Sequence, residues 1–498
     1  MWSYVIITLC AFAIWLYLHW RHTSQYWSKR GVPHLPPHPI LGSLTFLQRR
    51  NPALWLREMY RHFDTPYVGL WLVWRPALLV NSPDIARRVL VKDADNFKNR
   101  FLSSGTSDPI GQLNLFTVND PIWSYMRKRL SPVFTSAKLK NLNGLVTEKA
   151  SLLIQRIHNE CKRSDPIDLR SMYSDYTTDV IGTAAFGVSS EATLNGKSHL
   201  RDVTKEFMKF NVLRGIAWCS IFFFPRLVDI FRFSFFPKTT TDYFRRVYRA
   251  MVIQRRDNIG RENKDLLDAL LKIQEESVKN NEDVTEDMLV SQAAIFLQGG
   301  FDTSASTLTF MTYEVAHQPQ IQEKLYKEIL NASEKYTKEE FNSIILSNGL
   351  TYMNCVINET LRKYPVMGWL DRIAANDYQI DSKLTITAGT PVYVNTVGMH
   401  YDPKYFPQPE KFDPDRFLHG DVEPFTYMPF GEGPRVCIGQ RFAYITLRKA
   451  MTAIFLNFEV RPLANTPKPE ECELEKKGLF LVPANVMSVE FVPRNRTF

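Results

Sequence analysis

Cysteine is scarce in this chain of 498 residues, and its six cysteines are scattered. They form no CxxC pair and no regular spacing, which excludes a clustered zinc site and a disulfide framework. No Gly/Ser-rich linker, fixed-period repeat or low-complexity tract divides the chain, so a single large domain is compatible with its length. No Walker loop and no complete G-x-G-x-x-G occurs, so the sequence predicts no nucleotide site of its own.

Acidic residues are fewer than basic residues, 52 against 61, so the formal net charge is +9. Such a balance is typical of proteins that meet nucleic acid, anionic lipid or an acidic protein partner. The sequence contains no arginine-rich arm and no nucleic-acid-binding motif, so no nucleic-acid partner is expected. Unpaired cysteines indicate a reducing compartment.

Charged residues are absent from residues 2–20, WSYVIITLCAFAIWLYLHW. About 20 apolar helical residues span about 30 Å, the thickness of a bilayer core. A cleaved signal peptide is the alternative, but the positive n-region and small-residue cleavage site that it needs are missing. Arg21, Lys29 and Arg30 follow, and the positive-inside rule places this flank in the cytoplasm. The predicted divisions are a transmembrane anchor at 1–20, a basic flank with a stiff Pro-rich hinge at 21–42, and a cytosolic body at 43–498.

The body is predicted to be mainly α-helical with a small β region, because apolar residues recur at helical spacing through most of it. Helices are predicted at 52–62, 82–91, 121–134, 143–160, 172–186, 242–274, 285–316, 319–330, 351–364 and 438–456, and strand-like stretches at 66–72, 76–80, 378–394 and 479–492. Residues 218–236 contain seven phenylalanines. Core packing would explain them, and the alternative is a surface segment that dips into the membrane.

The most informative stretch is FGEGPRVCIGQRF, residues 430–442. Its glycines allow a close approach of the backbone to a ligand. An apolar helix is predicted directly after Cys437, so the thiol should lie at a helix N-terminus that favours a thiolate. Arg435 offers a forked cation to a carboxylate beside the sulfur. A thiolate ligand and a nearby arginine suit an iron porphyrin with carboxylate arms.

This loop resembles the haem-binding loop of the cytochrome P450 superfamily, the haem-thiolate monooxygenases. Further motifs agree with that family in order and spacing: Trp123 to Arg127 as W-x-x-x-R, Glu359 to Arg362 as E-x-x-R with Arg416 as its partner, Gly299 to Ser304 in a long helix, and Arg372 after a Tyr-Pro pair. Two departures are an aspartate at 415, where relatives more often have glutamate, and a glycine at 299, where they more often have alanine.

The resemblance implies the cytochrome P450 fold, with Cys437 as the iron ligand. Haem b is expected to contact Arg100, Trp123, Arg127, Arg372, Phe430, Gly433, Arg435 and Gly439. Asp302 and Thr303 are expected to deliver protons during oxygen activation, where the Gly299-Gly300 pair should open the helix. Glu359, Arg362 and Arg416 are expected to form a structural ion triad. The substrate pocket is expected to include Phe116, Phe296, Phe301, Met367, Trp369, Leu370 and Phe480.

The implied activity inserts one oxygen atom of O2 into a lipophilic molecule, with electrons from NADPH through a separate cytochrome P450 reductase and with cytochrome b5 as a further candidate partner. A basic surface at Arg127, Lys128, Arg129, Lys138, Lys140, Arg441, Arg448 and Lys449 is interpreted as a docking face or as a solvated face. The sequence is most similar to the microsomal insect branch that oxidises xenobiotics, which implies a single-pass protein of the endoplasmic reticulum with a cytosolic body. Alternatives are an endogenous lipid or hormone substrate, a reductase-independent isomerase or dehydratase, and a non-catalytic haem or lipid binder.

Overall fold

The computed structural model describes residues 2–135, 139, 142–163, 166–188, 190–209, 211–257 and 265–494. The α-helices are α1 Trp2–Ser24, α2 Pro52–His62, α3 Pro83–Arg87, α4 Pro109–Gln112, α5 Ile122–Leu130, α6 Asn143–Cys161, α7 Leu169–Phe186, α8 Ala192–Asn195, α9 His199–Phe207, α10 Val212–Phe223, α11 Pro225–Phe231, α12 Lys238–Asp257, α13 Leu266–Lys279, α14 Glu286–Ala316, α15 Pro319–Lys335, α16 Lys338–Leu346, α17 Thr351–Lys363, α18 Thr396–His400 and α19 Gln440–Asn457. The strands are β1 Tyr67–Leu72, β2 Arg75–Val80, β3 Ile167–Asp168, β4 Leu370–Ile373, β5 Tyr378–Gln379, β6 Thr385–Ile386, β7 Pro391–Val394, β8 Phe458–Pro462 and β9 Ser488–Pro493. Helices dominate, which confirms the predicted fold class.

Helix α14 lies in the middle of the body, and most of its 31 residues are buried. Its principal neighbour is α7. The two helices approach closely at Gly300, where an added methyl group would lie 2.6 Å from the Ile181 side chain. The hydroxyl of Thr177 in α7 donates to the Phe301 carbonyl at 2.9 Å. Helix α7 therefore covers one side of α14, and the candidate site lies on another.

A four-stranded sheet has the order β1, β2, β7, β4. β1 and β2 form an antiparallel hairpin, β2 and β7 are parallel, and β7 and β4 are antiparallel with Asp371 opposite Tyr393. A second sheet has the order β3, β9, β8, and β5 and β6 form a ribbon. The four-stranded sheet places residues 370–373 against the helical body.

Helix α1 is, within the described chain, the one helix long and apolar enough to cross a membrane. The stiff Pro-rich hinge predicted at 21–42 has, near its start, a residue that is anchored in the body. Trp27 is fully buried against Gly69, where an added methyl group would lie 2.4 Å from the indole ring. Its Nε1 donates to the Leu70 carbonyl at 2.9 Å, and Val32 joins the same cluster. The start of this segment is thus packed on the sheet by a large aromatic side chain, while Leu35, Pro36, Pro39 and Ile40 further along are exposed.

The aromatic segment 218–236 belongs mainly to the core. Phe222, Phe223, Phe235 and Phe236 are buried, which supports the packing interpretation for most of the segment. The exposed apolar side chains of this region lie on the outer faces of α10 and α11, at Val212, Leu213, Ile216, Leu227, Ile230 and Phe231.

The prediction of one helix over 242–274 is only partly met. The structure has α12 and α13 in this region, and residues 258–264 lie outside the described part of the chain.

Candidate active site

The loop at 430–442 is shaped by its glycines. Gly431 and Gly433 have φ angles of +75° and +74°, which side chains disfavour. An added methyl group at Gly433 would lie 1.9 Å from the Leu90 carbonyl oxygen, so only glycine fits there. The Cys437 N–H donates to the Phe430 carbonyl at 2.9 Å, and α19 begins after Gly439. The chain thus turns sharply and presents Cys437 just before the helix, as predicted from the sequence.

Burial raises the pKa of the Cys437 thiol above its ordinary value. The backbone N–H groups of Gly439 and Gln440 and the guanidinium groups of Arg127 and Arg100 act in the opposite direction. The helix N-terminus therefore favours the thiolate, as the sequence predicts, but burial outweighs this effect and leaves the pKa raised. Coordination of a metal cation is the interaction that stabilises a thiolate in such a place.

The sulfur faces an interior space. Cys437 and the Gly299 backbone retain solvent-accessible surface, although Cys437 is surrounded by protein and most of α14 is buried. A methyl group added at Gly299 or at Gly439 would meet no atom of the described residues within 4 Å. A gap therefore separates α14 from the cysteine loop, with a glycine on each side. Such a gap fits a cofactor that approaches backbone on both faces.

Four buried or half-buried arginines surround this gap: Arg100, Arg127, Arg372 and Arg435. None of them forms an ion pair with a carboxylate in the described parts of the chain. Burial lowers the pKa of each, to about 8 for Arg435 and about 10 for Arg372. Repulsion from Arg100 contributes to the shift at the other three sites, and Asp371 offsets part of it at Arg435 and Arg372.

Arg435 is held by neutral oxygen acceptors. Its guanidinium donates to the carbonyls of Lys98 and Val118, both at 3.0 Å, and to Asn119 Oδ1 at 3.3 Å. It also lies 4.0 Å from the centre of the Trp123 ring. The Trp123 ring thus stabilises the Arg435 guanidinium by a cation–π contact. This contact joins the W-x-x-x-R motif to the cysteine loop.

Arg100 has two nitrogen atoms, Nε and Nη1, that are buried and find no partner among the described residues. The Arg372 side chain donates to the Asp371 carbonyl at 2.8 Å, and it has no other hydrogen bond among the residues that the structure describes. Arg127 donates to the Val436 carbonyl at 2.9 Å. Buried charge normally requires a counter-charge. The donors therefore fit the two carboxylate arms of a porphyrin beside the Cys437 sulfur.

The ion triad forms as predicted. Glu359 and Arg362 are fully buried, with Nε to Oε2 at 2.7 Å, and Arg416 Nε lies 3.1 Å from Glu359 Oε1. Arg362 also donates to the carbonyls of His400 and Pro409, both at 2.8 Å. Burial opposes ionisation of Arg362, but the Glu359 carboxylate outweighs it and raises the pKa. The triad is internally compensated and ties α17 to the segment before the cysteine loop.

Asp302 and Thr303 lie next to each other on α14 but have different partners. The Thr303 hydroxyl donates to the Gly299 carbonyl at 2.6 Å. Asp302 is buried, and its Oδ1 lies 2.9 Å from Nη2 of Arg170 in α7. Helix α14 runs without interruption through this stretch, so the predicted opening is not present as a break in the helix. Arg170 was not predicted as a partner, because it is far from Asp302 along the chain.

The predicted pocket residues fall into two groups. Phe116, Trp369 and Phe480 join an aromatic cluster with Trp218, Phe222 and Phe223 of α10. Met367 and Leu370 are half-buried beside it. The resemblance to the family also predicts that residues 205–235, which include α10, contribute to the pocket, and Trp218, Phe222 and Phe223 occur in this cluster.

The two phenylalanines of α14 that were predicted to line the pocket, Phe296 and Phe301, lie on different sides of the helix. Phe296 precedes Gly299 by three residues and lies on the same side of the helix, stacked on Phe134 at 5.1 Å. Phe301 lies two residues from both Gly299 and Thr303, about 160–200° around the helix from them. Its ring is 1% exposed and packs 6.4 Å from the Phe207 ring. The prediction that Phe301 lines the pocket is therefore wrong.

The predicted basic face is smaller than expected. Arg448 and Lys449 are buried, and their side chains bond to Asn354 and Asn342. Arg129 pairs with Glu282 at 3.2 Å. Lys128 and Arg441 are exposed, while Lys138 and Lys140 lie outside the described residues.

Comparison with known proteins gives one consistent result. The family model described as Cytochrome P450 matches residues 32–491. Cytochrome P450 6k1 of Blattella germanica is 34% identical, across 98% of this chain and 96% of its own length. Probable cytochrome P450 6g2 of Drosophila melanogaster is 34% identical across 91% and 92%. Cytochrome P450 3A9 of Rattus norvegicus is 31% identical across 100% and 97%.

Proposed function

The chain belongs to the cytochrome P450 family of haem-thiolate monooxygenases, and we propose that it oxidises lipophilic xenobiotics with electrons from NADPH through a separate cytochrome P450 reductase. One oxygen atom of O2 enters the substrate and the other leaves as water. The observation that carries the proposal is Cys437, on its glycine turn, facing a gap ringed by four arginines without carboxylate ion pairs among the described residues.

The residues around the gap suit haem b. Cys437 provides the iron ligand, and Arg100, Arg127, Arg372 and Arg435 provide donors for the propionates. Gly439 leaves room beside the sulfur, while Gly433 and Phe430 shape the loop. Haem supplies the redox chemistry when bound, and a thiolate ligand favours cleavage of the O–O bond.

Proton delivery is assigned to α14. The Thr303 hydroxyl donates to the carbonyl of Gly299, the residue beside the open space on α14. The Asp302 carboxylate is held by Arg170, whose side chain keeps 21% of its surface exposed. Arg170 thus connects the buried carboxylate with solvent. We assign Asp302 to take protons from that side and Thr303 Oγ1 to donate them on the other.

Lipophilic substrates suit the aromatic walls made by Phe116, Trp369 and Phe480. A role in detoxification is supported by the likeness over nearly full length to insect members of the family. Cytochrome b5 is proposed as a further electron donor. The exposed cations Lys128 and Arg441 suit an acidic electron-transfer partner.

A membrane location is proposed from α1. A single-pass anchor in the endoplasmic reticulum, with the body on the cytosolic face, agrees with the apolar helix and the basic residues after it. The exposed apolar residues Ile230 and Phe231 supply a second contact with lipid.

The decisive experiment uses the carbon monoxide difference spectrum of the reduced protein. A band typical of thiolate ligation is expected for the wild type and for Cys355→Ala, and its loss is expected for Cys437→Ala. Reductase-dependent NADPH consumption is then measured with a panel of lipophilic compounds. A thiolate band that persists in Cys437→Ala would refute the assignment of the ligand, and a lack of any substrate-dependent NADPH consumption would refute the proposed reaction.

A further inference from the structure

Two buried donors beside the four-stranded sheet have no hydrogen-bond partner among the residues that the structure describes. They are the hydroxyl of Tyr393 and the indole N–H of Trp369. The two side chains are 4% and 2% exposed. Buried polar groups in folded proteins are nearly always hydrogen-bonded, because an unmet donor costs free energy. Two unmet donors in one place therefore need a physical explanation.

The strand register places these donors together. Asp371 of β4 is paired with Tyr393 of β7. Side chains alternate between sheet faces, so Trp369, two residues before Asp371, lies diagonally across from Tyr393 on the same face. Asp371 does not satisfy the hydroxyl, and its Oδ2 accepts from the Phe101 N–H at 3.0 Å. Burial, with a further contribution from Asp371, raises the pKa of Tyr393 well above its ordinary value, so its hydroxyl stays a neutral donor.

Both side chains line a small cavity between the sheet, α2 and α10. Its volume is about 20 Å³, and its other walls include Leu79, Trp55 and Phe223. One water needs roughly 10–15 Å³ and two to four polar partners. The accessible lining of this cavity is apolar, so water finds room but too few partners. The two donors are thus not explained by a bound water in this cavity.

Phe223 of α10 packs beside both side chains and lines the same cavity. Its ring lies 5.8 Å from the Trp369 ring and 6.2 Å from the Tyr393 ring. Displacement of this one ring would enlarge the cavity beside the two side chains that carry the donors. The outer face of the same helix carries the exposed apolar side chains Val212 and Leu213, which suit an environment rich in lipophilic molecules.

We propose that Tyr393 and Trp369 form a subsite that binds a hydrogen-bond acceptor of a lipophilic ligand, which enters between the sheet and α10 and displaces the Phe223 ring. The inference rests on the proposed function and adds a substrate class to it, namely apolar molecules with a carbonyl or ether oxygen. The donors are already out of water, so an acceptor gains their hydrogen bonds without a further desolvation cost on the protein side. A hydrocarbon of the same shape gains nothing from them.

The test compares 9-fluorenone with fluorene, which share a planar tricyclic frame and differ at the carbonyl group. Binding to the full-length, haem-loaded protein in lipid nanodiscs is measured by equilibrium dialysis against protein-free nanodiscs. Tyr393→Phe should weaken fluorenone binding about threefold to tenfold, the range for loss of one neutral hydrogen bond, and leave fluorene binding unchanged. Trp369→Phe should reduce the preference for fluorenone in the same direction.

Tyr401→Phe is the matched control, because the buried Tyr401 hydroxyl donates to the Lys363 carbonyl at 2.8 Å. It should lower the denaturation midpoint and keep the fluorenone preference, whereas Tyr393→Phe should leave the midpoint equal or higher. The subsite would be overturned if Tyr393→Phe weakened the binding of fluorenone and fluorene equally. It would also be overturned if Tyr393→Phe lowered the denaturation midpoint as much as Tyr401→Phe does. A normal thiolate band without any fluorenone preference would refute the subsite alone. A fluorenone preference without a thiolate band would refute the proposed function alone.

Discussion

A glycine can be required for its positive φ angle or for lack of space, and the three glycines of the cysteine loop allow these two reasons to be separated. Gly433 combines a φ of +74° with the Leu90 carbonyl oxygen 1.9 Å from the position of a methyl group. Gly431 has a φ of +75°, but the nearest atom to its methyl position is Leu370 Cδ2 at 3.4 Å, an ordinary contact. Gly439 has a φ of −90° and meets no described atom within 4 Å. Alanine therefore introduces strain and clash at the first, strain alone at the second, and neither at the third.

The left-handed conformation costs an alanine roughly 1–2 kcal/mol. The clash at Gly433 is with backbone that cannot rotate away, and overpacking of this kind adds about 1–3 kcal/mol. We therefore expect Gly433→Ala to destabilise the protein by about 2–5 kcal/mol, Gly431→Ala by about 1–2 kcal/mol, and Gly439→Ala by little. Gly439→Ala should instead weaken haem retention, because its methyl group enters the gap beside Cys437.

The measurement is urea denaturation followed by tryptophan fluorescence, on protein freed of haem, together with the rate of haem transfer to apomyoglobin from the loaded protein. The expected order of stability loss is Gly433, then Gly431, then Gly439. If Gly433→Ala and Gly431→Ala lowered the free energy of unfolding equally, the contact of the added methyl group with the Leu90 carbonyl would be relieved without an energetic cost. Haem transfer from Gly439→Ala at the wild-type rate would contradict the placement of the cofactor.

Four further outcomes are expected. Thr303→Ala should keep NADPH consumption but lower product by roughly 10²- to 10⁴-fold, with hydrogen peroxide measured in its place. Glu359→Gln should destabilise the protein by about 3–5 kcal/mol in urea, because it leaves buried guanidinium groups uncompensated. Burial lowers the pKa of His400 to about 3, so the side chain is neutral in the folded protein. Its contribution to stability is complete above its ordinary pKa of about 6.5 and is lost as the pH falls towards 3. A His400→Gln variant should therefore lose part of the acid sensitivity of folding. Protein without residues 2–21 should still float partly with liposomes, and Phe231→Ser should reduce that fraction.

Each of these expectations has a contrary result. Unchanged coupling of NADPH to product in Thr303→Ala would mean that protons arrive by another route. Near-native stability of Glu359→Gln would show that its arginines find other acceptors. An acid unfolding curve unchanged by His400→Gln would assign the acid sensitivity to carboxylates. A truncated protein that stays wholly in the soluble fraction would place Phe231 outside the membrane contact.

Local features of the site could be predicted from the sequence, because each depends on residues close together along the chain. The glycine turn before Cys437 and the Glu359–Arg362 pair are set by spacings of a few residues, and both occur as expected. The periodicity of an α-helix also places Phe301 on the side of α14 away from Thr303, so the exclusion of Phe301 from the pocket was predictable from the sequence. The strand register needed for Tyr393 was not available from the sequence.

Contacts between distant segments could not be predicted in this way. Arg170 precedes Asp302 by 132 positions, and the α7 to α14 packing that joins them depends on Gly300 meeting Ile181. The prolines predicted a stiff hinge at 21–42, but the burial of Trp27 against a glycine of β1, which places the start of this segment on the sheet, could not be predicted. In both cases a missing side chain on one element allows a large one on another to fit, and such complementarity has no local signature.

The balance of buried charge separates structural from ligand-binding residues in this protein. Glu359 meets Arg362 and Arg416 at hydrogen-bond distance, so this group is complete without any other molecule. Arg100 retains two unmet buried nitrogen atoms, and Tyr393 retains an unmet hydroxyl in an apolar surrounding. Folded chains satisfy nearly all buried polar groups, so unmet donors that lie together beside open space indicate a place where a ligand completes the interior. By that criterion the gap beside Cys437 requires an anion, whereas the cavity under Phe223 requires a neutral acceptor, and the two sites should therefore bind different molecules.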